Sequence, residues 1–85
     1  MNARKLLRRL SSGAVHNLKF AHFRGFVEAF GFRLKRVAGS HHIFCHPDIA
    51  ELVNVQNVGG EAKPYQIRQF LRLVARYNLK LEDEP

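Results

Sequence analysis

The sequence predicts a small α+β domain in which a three-stranded antiparallel sheet carries two helices on one face. Three segments between residues 32 and 58 show the period of two that is typical of half-buried strands, and short turns separate them. Apolar residues recur at helical spacing on both sides of this region. With 85 residues, of which 46% are hydrophobic, the chain can form one packed core.

Two amphipathic helices flank the predicted sheet. The first ends at Gly31, and its apolar stripe consists of Phe23, Phe26, Val27 and Phe30. The second begins at Lys63-Pro64, because proline suits the first turn of a helix. Its apolar stripe consists of Ile67, Phe70, Leu71 and Val74. Aromatic rings at this spacing indicate core packing rather than an exposed platform for stacking bases.

A shorter amphipathic segment precedes these helices. Its apolar side consists of Ala3, Leu6, Leu7 and Leu10, and Ser11-Ser12-Gly13 ends it. A helix of this length is marginal by itself. It therefore either docks through its leucine face or frays as a basic arm.

The predicted strands follow one another as a meander. The first, Phe32–Ala38, has Phe32, Leu34 and Arg36 on one face and Arg33, Lys35 and Val37 on the other. After a turn at Gly39-Ser40, the second strand spans His41–His46, and its period sends His41 and His42 to opposite faces. Pro47-Asp48 opens the next turn, and the third strand spans Leu52–Val58 with Val53 and Val55 on one face.

We interpret the chain as one domain with a core of residues 18–79, an N-terminal helical extension over 1–17 and an acidic tail over 80–85. The single cysteine, Cys45, excludes an internal disulfide framework and suits a reducing compartment. No apolar run approaches the ~20 residues of a membrane span, and the basic N-terminus has no apolar run of signal-peptide length. We therefore expect a cytoplasmic protein.

The charge balance points to a polyanionic partner. Fourteen Lys and Arg residues against seven Asp and Glu give a net charge of +7 and a sequence pI of about 10.4. Three of the seven acids belong to the tail segment Glu82-Asp83-Glu84, so the folded body is still more basic. Such a field favours nucleic acid ahead of a membrane surface, although charge alone does not set function.

Four side chains that can bind metals occur within six positions. They are His41, His42, Cys45 and His46. Zinc needs three or four convergent ligands, whereas a strand divides these four between its two faces. Carboxylates are scattered and no nucleotide-binding loop is present, so we predict no metal and no other cofactor. Cys45 is more typical of a small, inert apolar residue than of a nucleophile.

His41 remains as the candidate for chemistry in this basic chain. A histidine can take or give a proton near neutral pH. RNA carries its own nucleophile, the 2′-hydroxyl, beside each phosphate. A base that removes this proton, with Lys or Arg to stabilise the charge on phosphorus, would cleave RNA without metal. The alternative is that His41 is only a polar strand residue.

The segment around this histidine resembles the HicA family of toxin endoribonucleases, or mRNA interferases. The resemblance is carried by Gly31-Phe32, Leu34, Arg36, Gly39-Ser40-His41-His42 and His46-Pro47, and then by Lys63-Pro64 and the final amphipathic helix. It covers roughly residues 18–79, and the first helix resembles an extension seen in some members.

The resemblance implies an α-β-β-β-α fold like that of double-stranded-RNA-binding domains. It implies cleavage of mRNA, with the histidine after Gly-Ser, His41, as the catalytic residue. The residues expected to contact RNA are Lys35, Arg36, Ser40, Lys63, Arg68 and Arg72. The expected protein partner is a HicB-type antitoxin that covers this surface in a hetero-oligomer, and DNA is contacted only through that complex.

The sequence departs from the family pattern at two places. Many members carry Val-Pro-x-His on the third strand, where this chain has Val53-Asn54-Val55-Gln56-Asn57. The usual Ser or Asp cap of the first family helix is replaced here by Ala21 or His22, which weakens the helix start by about 1 kcal/mol. Two other functions stay open: a double-stranded RNA reader without catalysis, and a basic surface that serves only an acidic protein partner.

Overall fold

The computed structural model describes residues 2–82 and confirms the predicted α+β architecture. Its elements, in chain order, are α1 (Ala3–Ser11), α2 (Phe20–Ala29), β1 (Arg33–Ala38), β2 (His41–His46), β3 (Ile49–Gln56) and α3 (Pro64–Arg76). The strands form one antiparallel sheet in the order β1-β2-β3. The order from α2 to α3 is the α-β-β-β-α arrangement of double-stranded-RNA-binding domains.

The helices cover one face of the sheet, here called the inner face. The sheet residues of this face that belong to the core are Leu34, Phe44, Val53 and Val55. Phe70 of α3 lies at the centre of the core, and four other phenylalanine rings surround it at centroid distances of 5.4 to 5.9 Å. These rings meet edge to face, which is a favourable aromatic geometry. The prediction that the aromatic stripe forms the core is therefore confirmed.

The opposite face of the sheet, here called the outer face, is mostly polar. By register and alternation it carries Arg33, Arg36, Ala38, His41, Ile43, Cys45, Asn54 and Gln56. Ile43 is its one strongly buried apolar residue in the described chain, with Arg36 and Asn54 as its cross-strand neighbours. The outer face carries polar and potentially reactive side chains such as His41, whereas the inner face carries the apolar core.

The first helix is docked rather than frayed. Leu6 and Leu10 are buried in the same cluster as the rest of the core. The side chain of Asn2 caps α1 by accepting a hydrogen bond from the Lys5 N–H at 3.0 Å. At its other end, the Arg9 guanidinium donates to two carbonyls of the following loop, at 3.2 and 2.7 Å. The leucine face and these hydrogen bonds together fix α1 on the domain.

The start of α2 differs from the expectation. Lys19 is the N-cap, and Ala21 and His22 lie within the helix, so neither is the cap residue. No side chain caps this end. Instead, the Phe20 N–H donates to the carbonyl of Gly60 at 2.9 Å, so a distant loop satisfies one of the N–H donors that the start of a helix leaves without an intrahelical partner. The helix begins earlier because this contact, which local sequence does not encode, supports it.

A β-bulge in β1 overturns the predicted faces of its second half. Leu34 pairs with Phe44 and Arg36 pairs with Ile43, so Lys35 is the extra residue. One extra residue shifts the alternation of a strand by one position. Arg36 therefore lies on the outer face and does not share a face with Leu34.

The third strand begins and ends earlier than predicted. It spans Ile49–Gln56 rather than Leu52–Val58, since Ile49 already pairs with His46 across a second irregularity in register. Val58 leaves the sheet and forms an isolated bridge with Glu61 around a glycine turn. The burial of Val53 and Val55 on one face is as predicted.

The final helix starts at Pro64 as predicted, but its buried stripe is rotated. The buried residues of α3 are Gln66, Ile67, Phe70 and Leu73. Leu71 and Val74, which were predicted to be buried, are half-buried at the margin of the core. The burial of a polar residue, Gln66, has a structural reason that appears at the site described below.

The chain after α3 returns to the core. Leu81 is buried in the core cluster, and the Glu82 N–H donates to the carbonyl of Ala29 at 2.8 Å. The rest of the predicted acidic tail, residues 83–85, lies outside the described residues. None of the helices within residues 2–82 has the length and apolarity needed to cross a membrane.

Candidate RNA-cleaving site

The turn between β1 and β2 is tied to the end of β3. Gly39 has a φ of +60°, a left-handed conformation that glycine adopts without strain. The Ser40 carbonyl accepts a hydrogen bond from the Asn57 N–H at 2.9 Å, and the Ser40 hydroxyl accepts one from Gln56 Nε2 at 3.3 Å. These contacts hold the corner that precedes His41 against the neighbouring strand.

His41 lies on the outer face, half-buried, with one ring nitrogen engaged. Its Nδ1 is 3.0 Å from the side-chain oxygen of Asn54 on β3. An amide oxygen can only accept a hydrogen bond, so with Oδ1 as its partner this contact assigns the hydrogen to Nδ1. In the neutral ring Nε2 then has the lone pair, and it is the nitrogen that can take a proton from a substrate.

His42 and His46 lie on the inner side of the same strand and have different surroundings. The His42 ring packs against Phe20 with centroids 4.6 Å apart, and its Nδ1 is 3.3 Å from the Ser40 carbonyl. The His46 ring meets Phe32 at 5.0 Å, and its Nδ1 accepts the Asp48 N–H at 3.0 Å in the turn before β3. Both rings therefore serve packing and turn structure.

The strand period also separates the candidate metal ligands. Within residues 2–82, no three His, Cys, Asp or Glu side chains come close enough together to hold a metal ion. Cys45, half-buried on the outer face, is a free thiol.

Two hydrogen bonds through Gln56 on β3 link the start of α3 to the corner. Gln66 is the one buried polar residue of the described chain, and its side-chain oxygen accepts the backbone N–H of Gln56 at 2.8 Å. Gln56 in turn donates from its side chain to Ser40. Sequence reasoning missed Asn54, Gln56 and Gln66 as functional residues. The available signal was the polar alternation of Asn54 and Gln56 along the third strand.

The predicted RNA-contacting cations on the sheet have distinct positions. Arg36 shares the outer face with His41, because Arg36 pairs with Ile43 and Ala38 pairs with His41. Lys35 is exposed at the bulge of β1. The sheet therefore brings one cation, Arg36, to the face and strand end where His41 lies.

The predicted cations of α3 divide between its start and its flank. Lys63 is the N-cap, half-buried, with Nζ 5.6 Å from the centroid of the Tyr65 ring. Arg72 lines a groove of about 320 Å³ between α3 and β3, and Asn54 belongs to the opposite wall. Arg68 is exposed on α3 but is not part of this lining in the described chain.

Two of the residues that line the groove, Glu51 and Arg76, form an ion pair. The Arg76 guanidinium and the Tyr77 hydroxyl both donate to Glu51 Oε1, at 3.0 and 2.9 Å. The hydrogen bond to Glu51 raises the pKa of Tyr77 above its ordinary value. Arg76 is therefore engaged within the protein, whereas Arg72 has no ion-pair partner within residues 2–82.

Comparison with known families decides what these residues belong to. The family described as the HicA toxin of bacterial toxin-antitoxin systems matches residues 23–74, more than half of the chain. The chain belongs to the HicA family. It is accordingly the toxin of a toxin–antitoxin system, and an antitoxin is its partner. Neither the comparison with curated proteins nor that with solved structures gave a match.

The part of this HicA protein that matches the family contains His41 and the hydrogen-bonded residues around it, but not Arg76 and Tyr77. It runs from α2 into α3 and includes Ser40, His41, Asn54 and Gln66. The helix α1 lies outside the matched residues, although Leu6 and Leu10 pack in the same core.

Proposed function

We propose that this HicA protein is a metal-independent endoribonuclease that cleaves mRNA and so arrests translation. The observation that supports this most directly is the hydrogen bonding of the His41 ring. Its Nδ1 is engaged by Asn54, which leaves Nε2 free to act as a base on a half-exposed polar face. The net charge of +7 favours a polyanionic substrate.

The proposed reaction uses the 2′-hydroxyl of the RNA as the nucleophile. Nε2 of His41 removes the hydroxyl proton, the 2′ oxygen forms a bond to phosphorus, and the bond from phosphorus to the 5′ oxygen breaks. The leaving 5′ oxygen takes a proton from the imidazolium or from water. The products then end in a 2′,3′-cyclic phosphate and a 5′-hydroxyl.

Cations on both sides of His41 would hold the RNA backbone. Arg36, on the same face, is the closest candidate to stabilise the charge that develops on phosphorus. Ser40 shapes the corner, and Arg72 in the groove beyond Asn54 would bind a phosphate further along the strand. Lys35, Lys63 and Arg68 are exposed or half-buried and would add non-specific attraction.

We propose a HicB-type protein as the antitoxin. Such a partner would neutralise the toxin by covering His41 and the surrounding cations, in a hetero-oligomer through which DNA is contacted indirectly. Inducible expression of the toxin should stop growth, and co-expression of the antitoxin should restore it.

The catalytic assignment is tested with purified protein and mRNA in the presence of EDTA. We expect cleavage by the wild type and a loss of about 10²–10⁴-fold in rate for His41→Ala, the usual range for a general acid or base. His16→Ala, which removes an exposed histidine from the loop before α2, is the matched control and should cleave normally. Equal activity of His41→Ala and wild type would refute the assignment.

A second candidate is a double-stranded RNA reader without catalysis. The α-β-β-β-α order and the basic charge favour it, since such domains bind RNA by shape and backbone contacts. Both functions lose affinity as salt rises, so salt dependence does not separate them. RNA that binds but stays intact in the EDTA assay would favour the reader.

A further inference from the structure

The structure points to a role for Asn54 that the family pattern does not contain: we propose that Asn54 is a positioning residue, which fixes the tautomer and the ring orientation of His41. This inference rests on the proposed function, because it concerns the histidine that would act as the base. It starts from the hydrogen bond between the imidazole and the Asn54 side chain, Nδ1 to Oδ1 at 3.0 Å.

The register of the sheet explains why these two side chains meet. His41 is opposite Gln56, and Ile43 is opposite Asn54, in the antiparallel pair of β2 and β3. Asn54 is therefore the diagonal neighbour of His41 on the outer face, within reach of a side chain of this length. The residue directly opposite, Gln56, points its amide to the Ser40 hydroxyl and leaves the imidazole to Asn54.

The chemistry of the imidazole and the amide oxygen makes this contact favour one tautomer of the neutral ring. A neutral imidazole has one N–H and one lone pair, and the hydrogen bond made by one nitrogen determines the role of the other. The Asn54 oxygen matches an Nδ1–H and would repel an Nδ1 lone pair. When Nε2 takes the proton of the RNA hydroxyl, Nδ1 keeps its hydrogen and its acceptor, so the contact is preserved through the proton transfer.

The rest of the network holds Asn54 in place. The backbone N–H of Gln56, two residues on, is fixed by the buried oxygen of Gln66 at 2.8 Å, and the Gln56 side chain is fixed to Ser40 at 3.3 Å. The end of β3 is thus attached both to α3 and to the corner before His41. An orienting group needs such support, because small errors in geometry cost a large part of the rate.

Two substitutions that conserve the shape of Asn54 separate positioning from packing. Asn54→Leu keeps the branched side chain but removes the acceptor, whereas Asn54→Asp keeps an acceptor oxygen. The position is exposed, so both variants should fold, which thermal unfolding checks. The tautomer of His41 is read from the imidazole nitrogen signals in the NMR spectrum of the ¹⁵N-labelled full-length protein, at a pH where the ring is neutral.

We expect the wild type and Asn54→Asp to hold the hydrogen on Nδ1, and Asn54→Leu to move a large part of the population to the Nε2–H form. Cleavage by Asn54→Leu should fall by about 10–100-fold in kcat, the usual cost of losing an orienting partner, with little change in KM. Asn54→Asp should recover most of that loss.

The inference is overturned if Asn54→Leu keeps the hydrogen on Nδ1, or if its tautomer changes while kcat stays at the wild-type value. Failure of the proposed function has a different signature. Cleavage that survives in His41→Ala would refute the catalytic histidine, and with it the catalytic value of Asn54, whatever the NMR spectrum shows.

Discussion

His41 and His42 are neighbours in sequence with opposite surroundings. The His42 ring packs on Phe20 beside the core, whereas His41 lies on the outer face with its Nδ1 held by Asn54. The two residues have the same intrinsic chemistry, so the difference comes from the sheet, which sends successive side chains to opposite sides. An imidazole suited to proton transfer needs one nitrogen fixed and the other accessible to substrate. Both histidines have an engaged Nδ1, but the His42 ring packs against Phe20, whereas the His41 ring lies on the polar outer face.

The same contrast extends over the two faces. The inner face is sealed by phenylalanine rings around Phe70, and its role is stability. The outer face is tied by side-chain hydrogen bonds between Gln56 and Ser40 and between His41 and Asn54, and it carries the polar groups of the candidate site. Substitutions should therefore affect stability on one side and RNA cleavage on the other.

The largest effect on stability is expected at the centre of the inner face. Phe70→Ala removes the ring that four other rings contact and should lower the free energy of unfolding by about 3–5 kcal/mol. Leu52→Ala, at a half-exposed position on β3, is the control and should change it by less than about 0.5 kcal/mol. Urea denaturation measures both. Similar losses in the two variants would show that the core is not centred on Phe70.

A smaller effect is expected where the inner face supports the outer one. Gln66→Leu leaves the Gln56 N–H without its acceptor and should cost about 1–3 kcal/mol in the free energy of unfolding. Because Gln56 also holds Ser40, cleavage should fall as well.

The control for this prediction is Gln69→Leu, which changes an exposed residue of the same helix and should leave stability unaltered. Denaturation is run on both variants, and cleavage in EDTA is compared between Gln66→Leu and the wild type, because Gln69 lines the groove proposed to bind a phosphate. Normal cleavage by Gln66→Leu, despite its loss of stability, would mean that α3 does not support the corner.

A still smaller effect is expected at His42, and it sharpens the comparison with His41. His42→Ala loses the ring contact with Phe20 and should cost about 0.5–1.5 kcal/mol in the free energy of unfolding. His42→Phe keeps a ring there and should cost less. Neither variant should lose cleavage activity while it is folded. A greater loss of cleavage in His42→Phe than in His41→Ala would exchange the roles of the two histidines.

The smallest effect is expected at Tyr77 and depends on pH. The raised pKa of Tyr77, due first to its hydrogen bond with Glu51, means that the folded state favours the protonated hydroxyl. The stabilisation of the folded state by this hydrogen bond is therefore complete below the unfolded pKa of about 10, and it is lost as the pH rises through the folded pKa. Wild-type Tm should fall slightly more than that of Tyr77→Phe as the pH rises above about 10. Parallel curves would show that the hydrogen bond does not contribute to stability.

An element was predicted correctly where its sequence signals lie within the element, and wrongly where it depends on contacts with distant residues. The second strand was predicted with its observed bounds, His41–His46, because a Gly-Ser turn and a proline delimit a regular alternation. The predicted face of Arg36 was wrong, because the bulge at Lys35 depends on pairing with the next strand. The start of α2 was wrong for a similar reason, since Gly60 supplies its acceptor from a distant loop.

For the candidate site, the sequence alone selected His41 and predicted that His41 and His42 lie on opposite faces of the sheet. It did not identify Asn54, which lies 13 positions away and contacts the ring only through the register of β2 and β3. It did not identify Gln66 either. Burying an amide is favourable only where a hydrogen-bond partner such as a backbone N–H meets it, and the helical period does not predict such a partner.

The sequence by itself determined the order of the elements, the aromatic stripe of the core, the basic charge and the separation of the two histidines, since these follow from local periodicity and composition. The tertiary structure decided which nitrogen of His41 is free, which face carries Arg36 and how α3 holds the corner. The physical reason is that a hydrogen bond between strands requires a particular register, and register is set by the packing of the whole sheet.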